Sequence, residues 1–308
     1  MLYYFWVKVM KSIFVYNPES GQKKISQYID LIKTTIESKY GELDIVPTTH
    51  AGHANEIAKT LAKNYDYFFV AGGDGTLNEV VNGLGSQRKK PIVGYIPTGT
   101  VNDCARSLGI SLNIKKAIRN LVEGEPFAHD TFKVNDKFGI YVCGAGLFTQ
   151  ASYKTPRKEK KLLGKIAYII GAAKELMHSK PVKVSIKTGG ETIKETCSLM
   201  LIFNSKSVGS MRLNKGAKLN DGKVEVVLFK SFKKTVTLID VIRIVSAFLF
   251  GIKRVKNKKY IVYRQFSNFT VSSTRDIPIN LDGEKATKGS FVFNVWKQSI
   301  QIIAPKQK

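Results

Sequence analysis

Residues 69–81 read Phe69-Val70-Ala71-Gly72-Gly73-Asp74-Gly75-Thr76-Leu77-Asn78-Glu79-Val80-Val81. An apolar run gives way to three glycines within four positions, and apolar residues then recur at a helical spacing. Glycine permits a positive φ and lets a bulky anion approach the backbone without a β-carbon in the way. The first N–H groups of the following helix are unpaired and carry positive dipole character. The stretch therefore predicts a strand, a phosphate-binding loop and a helix, with a plain tight turn as the alternative.

The residues around this segment alternate between short apolar runs and helical patterns. The predicted strands are Ser12–Tyr16, Leu43–Val46, Tyr67–Val70 and Pro91–Ile96. The predicted helices carry their apolar positions at Ile25–Ile36, Ala54–Leu61 and Val80–Leu84. Strands that alternate with helices in this way indicate a doubly wound parallel sheet. We therefore predict an α/β domain over residues 1–127.

The pattern changes after about Phe127, where segments with a period of two follow one another. These predicted strands are Phe132–Val134, Gly139–Val142, Val182–Ile186, Lys223–Val227, Phe269–Val271 and Phe291–Val295. Helical patterns interrupt them near Leu162–His178 and Val236–Ile252. Alternating strands with Gly, Asn and Asp turns are typical of antiparallel sheets. Residues 128–308 are therefore expected to form a mainly antiparallel β-sandwich, whose last segment could return to the first domain.

A second glycine loop follows the predicted strand Pro91–Ile96 and spans residues 97–103. Gly99 and Thr100 suit a turn that contacts phosphate, and Asn102 and Asp103 would open another helix. Asp103 could be a simple partner for the dipole of that helix, but its position beside a polyphosphate site favours a role in the nucleotide–Mg²⁺ network. The loop Asn17–Gly21 follows the first strand and would form a third wall, because the carboxyl ends of parallel strands share one edge of the sheet.

The composition excludes several classes of protein. The chain has 308 residues, 43% of them hydrophobic, so it can bury a core without disulfide or metal support. Its 49 Lys and Arg outnumber its 24 Asp and Glu, and the formal net charge of +25 favours a polyanionic partner. The three cysteines lie far apart without a CxxC pair, which disfavours a disulfide scaffold and favours a reducing cytoplasm.

No segment has the pattern of a membrane span. Met1–Val7 is apolar but falls far short of the ~20 residues that a span needs, and we interpret it as a leader ahead of a natural start at Met10. The stretch Val236–Ile252 contains Asp240 and Arg243, which indicates an amphipathic or core helix. Any contact with a membrane is therefore expected to be peripheral.

Four segments together resemble the lipid kinase family that shares the diacylglycerol kinase catalytic domain and includes sphingosine and ceramide kinases. These segments are Asn17-Pro18…Gly21, Gly72–Glu79, Gly99–Asp103 and Leu281–Glu284. They follow the family's order across nearly the whole chain, which looks most similar to the soluble bacterial diacylglycerol kinases. The resemblance implies an ATP-dependent phosphotransferase of phospholipid metabolism that acts on a membrane lipid. Diacylglycerol would be the acceptor and phosphatidic acid the product.

The resemblance also implies that ATP binds between the two domains, with the second domain supplying the lipid-substrate and catalytic groups. The phosphates would lie on Gly72–Asn78 and Gly99–Thr100. The nucleotide-binding candidates are Asn17, Gly21, Thr48, Gly72, Gly73, Asp74, Gly75, Thr76, Leu77, Asn78, Gly99, Thr100, Asn102, Asp103 and Arg106. Arg106 would support this network or would only pair with a neighbour on its own helix.

A structural Mg²⁺ is implied at the turn Lys218–Lys223. Carried over from the family, its ligands are Asp221 and the carbonyl oxygens of Lys218 and Lys223. Oxygen ligands around one carboxylate suit Mg²⁺, although Asn220 stands where many members have a second Asp. Without the family, the same residues indicate a simple hairpin turn.

The catalytic candidates are Asp282 and Glu284, which flank Gly283. Phosphorylation of an alcohol requires a carboxylate within hydrogen-bond reach of the attacking hydroxyl. One of the two would accept the proton as the base, while the other would orient that base or Mg²⁺. The sequence does not tell which residue has which role. The alternative is a hairpin turn with solvated acids.

The positive charge is concentrated beside apolar helical patterns. Lys154–Lys165 holds six basic residues against one acidic residue, and Lys230–Lys259 holds nine against one. Such stretches suit an anionic bilayer surface, or are simply the solvated faces of core helices. We expect a cytoplasmic protein at the inner face of the membrane, and the resemblance implies a homodimer.

Three other functions compete with this prediction. A kinase for another lipid, such as a sphingoid base, fits the same motifs, whereas an NAD kinase shares the Gly-Gly-Asp-Gly loop but not the other segments. A nucleic-acid binder fits the charge, but no helix-turn-helix, zinc module or basic-aromatic motif supports it, so no nucleic-acid partner is expected.

Overall fold

The computed structural model describes residues 10–85, 87–146, 181–231, 246, 251–252 and 260–306. The chain forms two compact units, one of Met1–Ala128 with Ile300–Lys308 and one of His129–Ser299. The expected leader at Met1–Val7 and helix at Leu162–His178 lie outside the described residues, as does the basic stretch Lys154–Lys165. Most of the predicted helix Val236–Ile252 and of the basic stretch Lys230–Lys259 also lies outside the described residues. Among the residues that are described, no helix is both long enough and apolar enough to cross a membrane.

The first unit alternates strands and helices as its sequence predicts. Its strands are β1 (Ser12–Tyr16), β2 (Leu43–Pro47), β3 (Tyr67–Gly72) and β4 (Ile92–Pro97). Its α-helices are α1 (Ile29–Tyr40), α2 (His53–Leu61), α3 (Asp74–Leu84), α4 (Asp103–Leu108) and α5 (Ile114–Glu123). Short 3-10 helices occupy Ser20–Lys23, Ile25–Tyr28 and Ala62–Asn64.

The strands of this unit form a parallel sheet in the order β2-β1-β3-β4. Near the end of the chain, Ile302 pairs in parallel with Val93 of β4. Residues 68–71 of β3 are fully buried, as expected for a parallel strand covered on both faces. The strand order reverses between β1 and β3, so the loops that leave these two strands flank the position where open α/β sheets bind ligands.

Two helices of the first unit differ from the sequence prediction. The helix predicted from Ile25 begins only at Ile29, because residues 20–28 form two 3-10 helices, although Ile25 is still buried. Helix α5 was not predicted at all. Its signal was the N-cap residue Asn113, whose side-chain oxygen accepts from the N–H of Lys116 at 3.1 Å.

The second unit is built from antiparallel strands. They are β5 (Glu125–Val134), β6 (Lys137–Gly139), β7 (Val142–Gly146), β8 (Val182–Lys187), β9 (Thr192–Phe203), β10 (Val224–Lys230), β11 (Ile261–Phe266), β12 (Asn268–Ser273), β13 (Pro278–Leu281), β14 (Glu284–Lys288) and β15 (Phe291–Ala304). The first and last of these strands in the chain, β5 and β15, continue into the first unit. Strands β9, β11, β13 and β14 were not predicted from the sequence.

Strand pairing in this unit follows the order β14-β13-β7-β9-β8-β12-β15, and β10 pairs with both β9 and β11. Alternate residues of these strands form two buried clusters. One surrounds Phe132, Ile186 and Phe293, and the other surrounds Phe203 and Phe229. Rings stack within the first cluster, where Phe132 and Phe293 lie 4.9 Å apart.

The predicted strand Gly139–Val142 is wrong, because the chain breaks its ladder at Ile140 and Tyr141. The N–H groups of Ile140, Tyr141 and Val142 all donate to the carboxylate of Asp282, at 2.7, 3.1 and 2.8 Å. A side chain about 140 residues away therefore replaces the strand partner of this segment, which local alternation does not reveal.

We predict an acid-sensitive step in the stability of the second unit. His129 is fully buried, and burial lowers its pKa from 6.5 to about 4, while the Asp130 carbonyl that accepts its Nδ1–H opposes the shift. As pH falls through this window, the unfolded chain takes up a proton that the folded protein does not. The free energy of unfolding should then fall by up to about 1.4 kcal/mol per pH unit, levelling off near pH 4.

Urea unfolding at pH 7 and pH 5 tests this. His129→Gln should flatten the difference between the two pH values, and the exposed control His50→Gln should retain it. Equal pH dependence in wild type and His129→Gln would contradict the assignment.

Candidate functional site

The loops that leave β1, β3 and β4 are fastened to one another at the carboxyl edge of the parallel sheet. The N–H of Asn17 donates to the carbonyl of Ala71 at 3.0 Å, and the N–H of Thr98 donates to that of Gly72 at 2.8 Å. The hydroxyls of Ser20 and Thr98 lie 2.7 Å apart. The three predicted walls therefore converge within the first unit.

The glycines of these loops allow backbones to approach more closely than any side chain permits. A β-carbon at Gly99 would lie 2.5 Å from the Cα of Gly73, and one at Gly73 would lie 3.3 Å from the Cα of Gly99. Gly21 adopts a φ of +60°, and a β-carbon there would lie 2.9 Å from the carbonyl oxygen of Thr98. At Gly72, a β-carbon would overlap the side chain of Thr76. The result is a cradle of bare backbone, which a phosphate can approach.

A buried polar network lies beneath this cradle. The hydroxyl of Tyr95 lies 3.2 Å from the carbonyl oxygen of Gly72 and 3.4 Å from Oδ1 of Asn102. Asn102 has a φ of +54° and bonds both backbone groups of Gly99, accepting from its N–H at 3.1 Å and donating to its carbonyl at 2.7 Å. Burial raises the pKa of Tyr95 well above its ordinary value, so the hydroxyl keeps its proton as a donor. Tyr95 thus connects the two glycine loops through Gly72 and Asn102.

The start of α3 supplies further candidates. Gly73 is the N-cap residue of α3 and has no side chain to cap the helix, and Asp74 lies in the first turn of α3. Leu77 is buried, and its N–H donates to the carbonyl of Gly73 at 3.2 Å, so its side chain belongs to the core rather than to the cradle. Asn78 is buried and accepts from the side-chain amide of Asn82. Gly75 is part of the first helical turn.

The other nucleotide candidates lie around the same edge. Thr48 follows β2, and its N–H donates to the carbonyl of Tyr16 at 2.8 Å. Thr100 is exposed, whereas Asp103 is buried at the start of α4. The exposed Arg106 donates from Nε to the carbonyl of Val101 at 2.9 Å, two positions before α4 begins.

The two catalytic candidates of the second unit have opposite environments. Asp282 and Gly283 form the two-residue turn between β13 and β14 with φ of +50° and +99°. Asp282 is 2% exposed, and its carboxylate is engaged by the three N–H groups of residues 140–142. Glu284, two positions on, is exposed at the first position of β14. The alternative of two solvated acids therefore fails for Asp282.

The predicted metal turn is held in place by a second acid. Asp130 accepts from the N–H of Gly222 and from the N–H of Gln298, both at 2.6 Å. Burial raises the pKa of Asp130, and the nearby Asp221 adds to the shift. Oδ1 of Asp221 accepts from the N–H of Lys223 at 3.0 Å.

Several carbonyl groups of this turn accept hydrogen bonds from the protein. The carbonyl of Leu219 accepts from the side-chain amide of Asn204 and from the N–H of Asp130. The carbonyl of Asn220 accepts from the side-chain amide of Gln298, and that of Gly222 accepts from the hydroxyl of Ser267. None of these bonds uses the carbonyl of Lys218 or Lys223, so none of them opposes the Mg²⁺ ligands that the resemblance names. Within the described part of the chain, no cluster of three or more His, Cys, Asp and Glu is placed to hold a metal by side chains alone.

Comparison with known proteins identifies the family. Residues 11–134 match the family "Diacylglycerol kinase catalytic domain", and residues 142–304 match "YegS C-terminal NAD kinase beta sandwich-like domain". The diacylglycerol kinase of Bacillus subtilis (strain 168) is 33% identical over 299 residues, 96% of this chain and 96% of that protein. The chain belongs to the diacylglycerol kinase family. The diacylglycerol kinase of Staphylococcus carnosus (strain TM300) is 32% identical, over 95% of this chain and 94% of that one.

Solved structures share the fold of this family member. A crystal structure of a diacylglycerol kinase from Bacillus anthracis str. Sterne covers 97% of this chain and 98% of its own, with 20% identity and a TM-score of 0.78. A further crystal structure from that strain matches with a TM-score of 0.83 at 22% identity, over 96% and 97% of the two chains. The predicted family and the predicted fold, an α/β domain followed by a mainly antiparallel one, are both confirmed.

Sequence analysis missed two residues that support these sites. Tyr95 had a signal, since a tyrosine inside a buried apolar strand needs a partner for its hydroxyl. Asp130 had none, because its partners Gly222 and Gln298 lie 92 and 168 positions away.

We predict that Asn102 stabilises the first unit through both its side chain and its φ of +54°. Asn102→Ala loses the two bonds to Gly99 and places an ordinary residue in a left-handed conformation, for a loss of about 2 kcal/mol. Asn102→Gly loses the bonds alone, for about 1 kcal/mol. Urea unfolding measures both, and equal losses in the two variants would show that the backbone conformation costs alanine nothing.

Proposed function

We propose that the protein is an ATP-dependent lipid kinase that transfers the γ-phosphate of ATP to the hydroxyl of diacylglycerol, giving phosphatidic acid. The observation that carries the proposal is the close approach of Gly73 and Gly99, which presents bare backbone to a polyphosphate. The family and its relatives supply the substrate class. Within this proposal, residues 1–127 bind the nucleotide, and residues 128–308 supply the lipid-substrate and catalytic groups.

The triphosphate would be held by the residues of the cradle. Backbone N–H groups at the start of α3 and in the loop around Gly99 and Thr100 would face the phosphate oxygens, and the dipole of α3 favours negative charge there. Asn17, Gly21 and Thr48 would complete the walls. Preformed donors need no reorganisation when charge moves onto the transferred group, which lowers the barrier.

For the proton acceptor we propose Glu284 and give Asp282 a positioning role. Three backbone donors already engage the carboxylate of Asp282, and its side chain is buried. Glu284 is exposed, so its carboxylate is open to an incoming hydroxyl. Its carboxylate would take the proton as the new O–P bond forms. Asp282 would fix the turn on which Glu284 stands.

For Mg²⁺ we propose the ligands Asp221 and the carbonyl oxygens of Lys218 and Lys223. A bound Mg²⁺ supplies fixed positive charge and needs near-octahedral oxygen ligands, including waters. Asp130 would hold the turn in shape through Gly222. Asp74 and Asp103 are proposed for the nucleotide-bound metal, since both lie at helix starts beside the cradle.

We further propose that the protein acts as a peripheral, cytoplasmic protein at the inner face of the membrane. Diacylglycerol stays in the bilayer, and the net charge of +25 favours an anionic surface, where each Lys or Arg contributes about 1 kcal/mol. A homodimer is proposed on the family resemblance alone, and light scattering of the purified protein tests it.

The activity test uses ATP labelled at the γ-phosphate with four acceptors in parallel: diacylglycerol in mixed micelles, a sphingoid base, NAD and buffer. Label extracted into the organic phase with diacylglycerol supports the proposal. Label on the sphingoid base alone would move the assignment to another lipid kinase, and label on NAD alone would overturn lipid transfer.

We predict that Glu284→Gln lowers kcat by about a hundredfold or more while KM for ATP stays within about twofold, because only proton acceptance is lost. Steady-state kinetics with diacylglycerol measure both constants. The control Glu191→Gln removes an equally charged, exposed side chain from the β8–β9 turn and should leave both unchanged. A parallel loss of ATP affinity in Glu284→Gln would refute the assignment.

We also predict that Gly73→Val abolishes ATP binding. The added side chain would press on Gly99 and fill the position of a phosphate. Titration calorimetry with ATP measures the loss, and Gly190→Val, in an open turn with no atom within 4 Å of a β-carbon, is the control. Native affinity in Gly73→Val would mean that the cradle lies elsewhere.

A further inference from the structure

The glutamate that ends the glycine motif has a contact that the proposed chemistry does not use. Glu79 lies in α3, half-buried, and its carboxylate accepts from the N–H of Gly52 at 3.0 Å and of Ala54 at 3.2 Å. Both donors belong to the start of α2, whose N-cap residue is Gly52. A carboxylate of the protein therefore occupies the position at the N-terminus of α2 where a phosphate could otherwise bind.

The segment that Glu79 holds contains Thr48, one of the proposed nucleotide contacts. The segment is fastened at its start by the bond from the Thr48 N–H to the Tyr16 carbonyl at 2.8 Å. It is fastened at its end by Glu79. Gly52 makes the intervening turn possible, since its φ is +88°. Residues 48–54 thus link the end of β1 to helix α3, which begins at the cradle.

Packing between α2 and α3 does not depend on this carboxylate. At Gly83 the two helices approach so closely that a β-carbon would overlap the Asn55 carbonyl and press on the side chain of Ala58. Ala54 and Ala58 are fully buried beside it. Loss of Glu79 should therefore release the turn before α2 rather than separate the helices.

We propose that Glu79 is a positioning residue for ATP: by capping α2 it fixes the segment of Thr48 against the nucleotide and leaves the N-terminus of α3 as the phosphate site. This inference rests on the proposed ATP site. A free Glu79 carboxylate would repel a triphosphate. In the structure, the carboxylate instead accepts hydrogen bonds from two N–H groups at the start of α2.

The test compares Glu79→Gln with wild type in two assays. Glutamine has nearly the same shape but keeps only one acceptor oxygen, so one of the two N–H groups faces an amide NH₂. We expect Kd for ATP by calorimetry, and KM for ATP at saturating diacylglycerol, to rise about tenfold, with kcat at saturating ATP within about twofold. If the side chain only stabilised the fold, its loss would lower the reaction rate by the same factor at every ATP concentration.

Two further variants complete the test. Gly52→Ala forces a residue with a β-carbon into the same turn and should raise KM for ATP in the same direction, whereas the exposed Glu123→Gln on α5 should change nothing. Unchanged ATP affinity in both Glu79→Gln and Gly52→Ala, or a lower kcat without a change in KM, would overturn the inference. Calorimetry needs no lipid. A wild-type protein that binds ATP but phosphorylates no lipid would therefore contradict the proposed acceptor and leave the inference about Glu79 testable by ATP binding.

Discussion

The structure of the first unit depends on two stretches of backbone that come closer than a β-carbon allows. Gly73 and Gly99 meet at the ends of β3 and β4, and Tyr95 and Asn102 hold that contact from below. Packing of this kind leaves amide groups rather than side chains at the sheet edge. The proposed anion binding would therefore be a consequence of how neighbouring strands end, and of the steric constraint that keeps side chains away from this edge.

Three acidic side chains of this protein bind backbone N–H groups of distant segments. Asp282 engages three N–H groups, Asp130 engages two, and Glu79 engages two. Each joins segments far apart in the chain, and each satisfies donors that would otherwise be left without partners. A carboxylate that is bound to backbone in this way is poorly placed to accept a substrate proton, which is part of the reason for favouring the exposed Glu284.

The pair Asp282 and Glu284 shows how nearby carboxylates come to lie in different environments, on which their proposed roles rest. The two-residue turn directs the first inwards to residues 140–142 and leaves the second exposed on β14. A rigid, fully bonded Asp282 fixes the turn, and a fixed turn gives Glu284 a defined position. Precise placement of a base matters because proton transfer requires hydrogen-bond distance to the reacting hydroxyl.

The sequence by itself determined the parallel α/β unit, the glycine loops and the family, because strand and helix periodicity and glycine spacing are local properties. It predicted most strands of the first unit to within a residue or two at each end. Tertiary structure alone decided the break at Ile140 and Tyr141, the burial of Asp282 and the support that Asp130 gives to the metal turn. It also revealed that Glu79 binds the start of α2. These features depend on partners 25 to 168 positions apart, and no local pattern carries information about which distant N–H a carboxylate will reach.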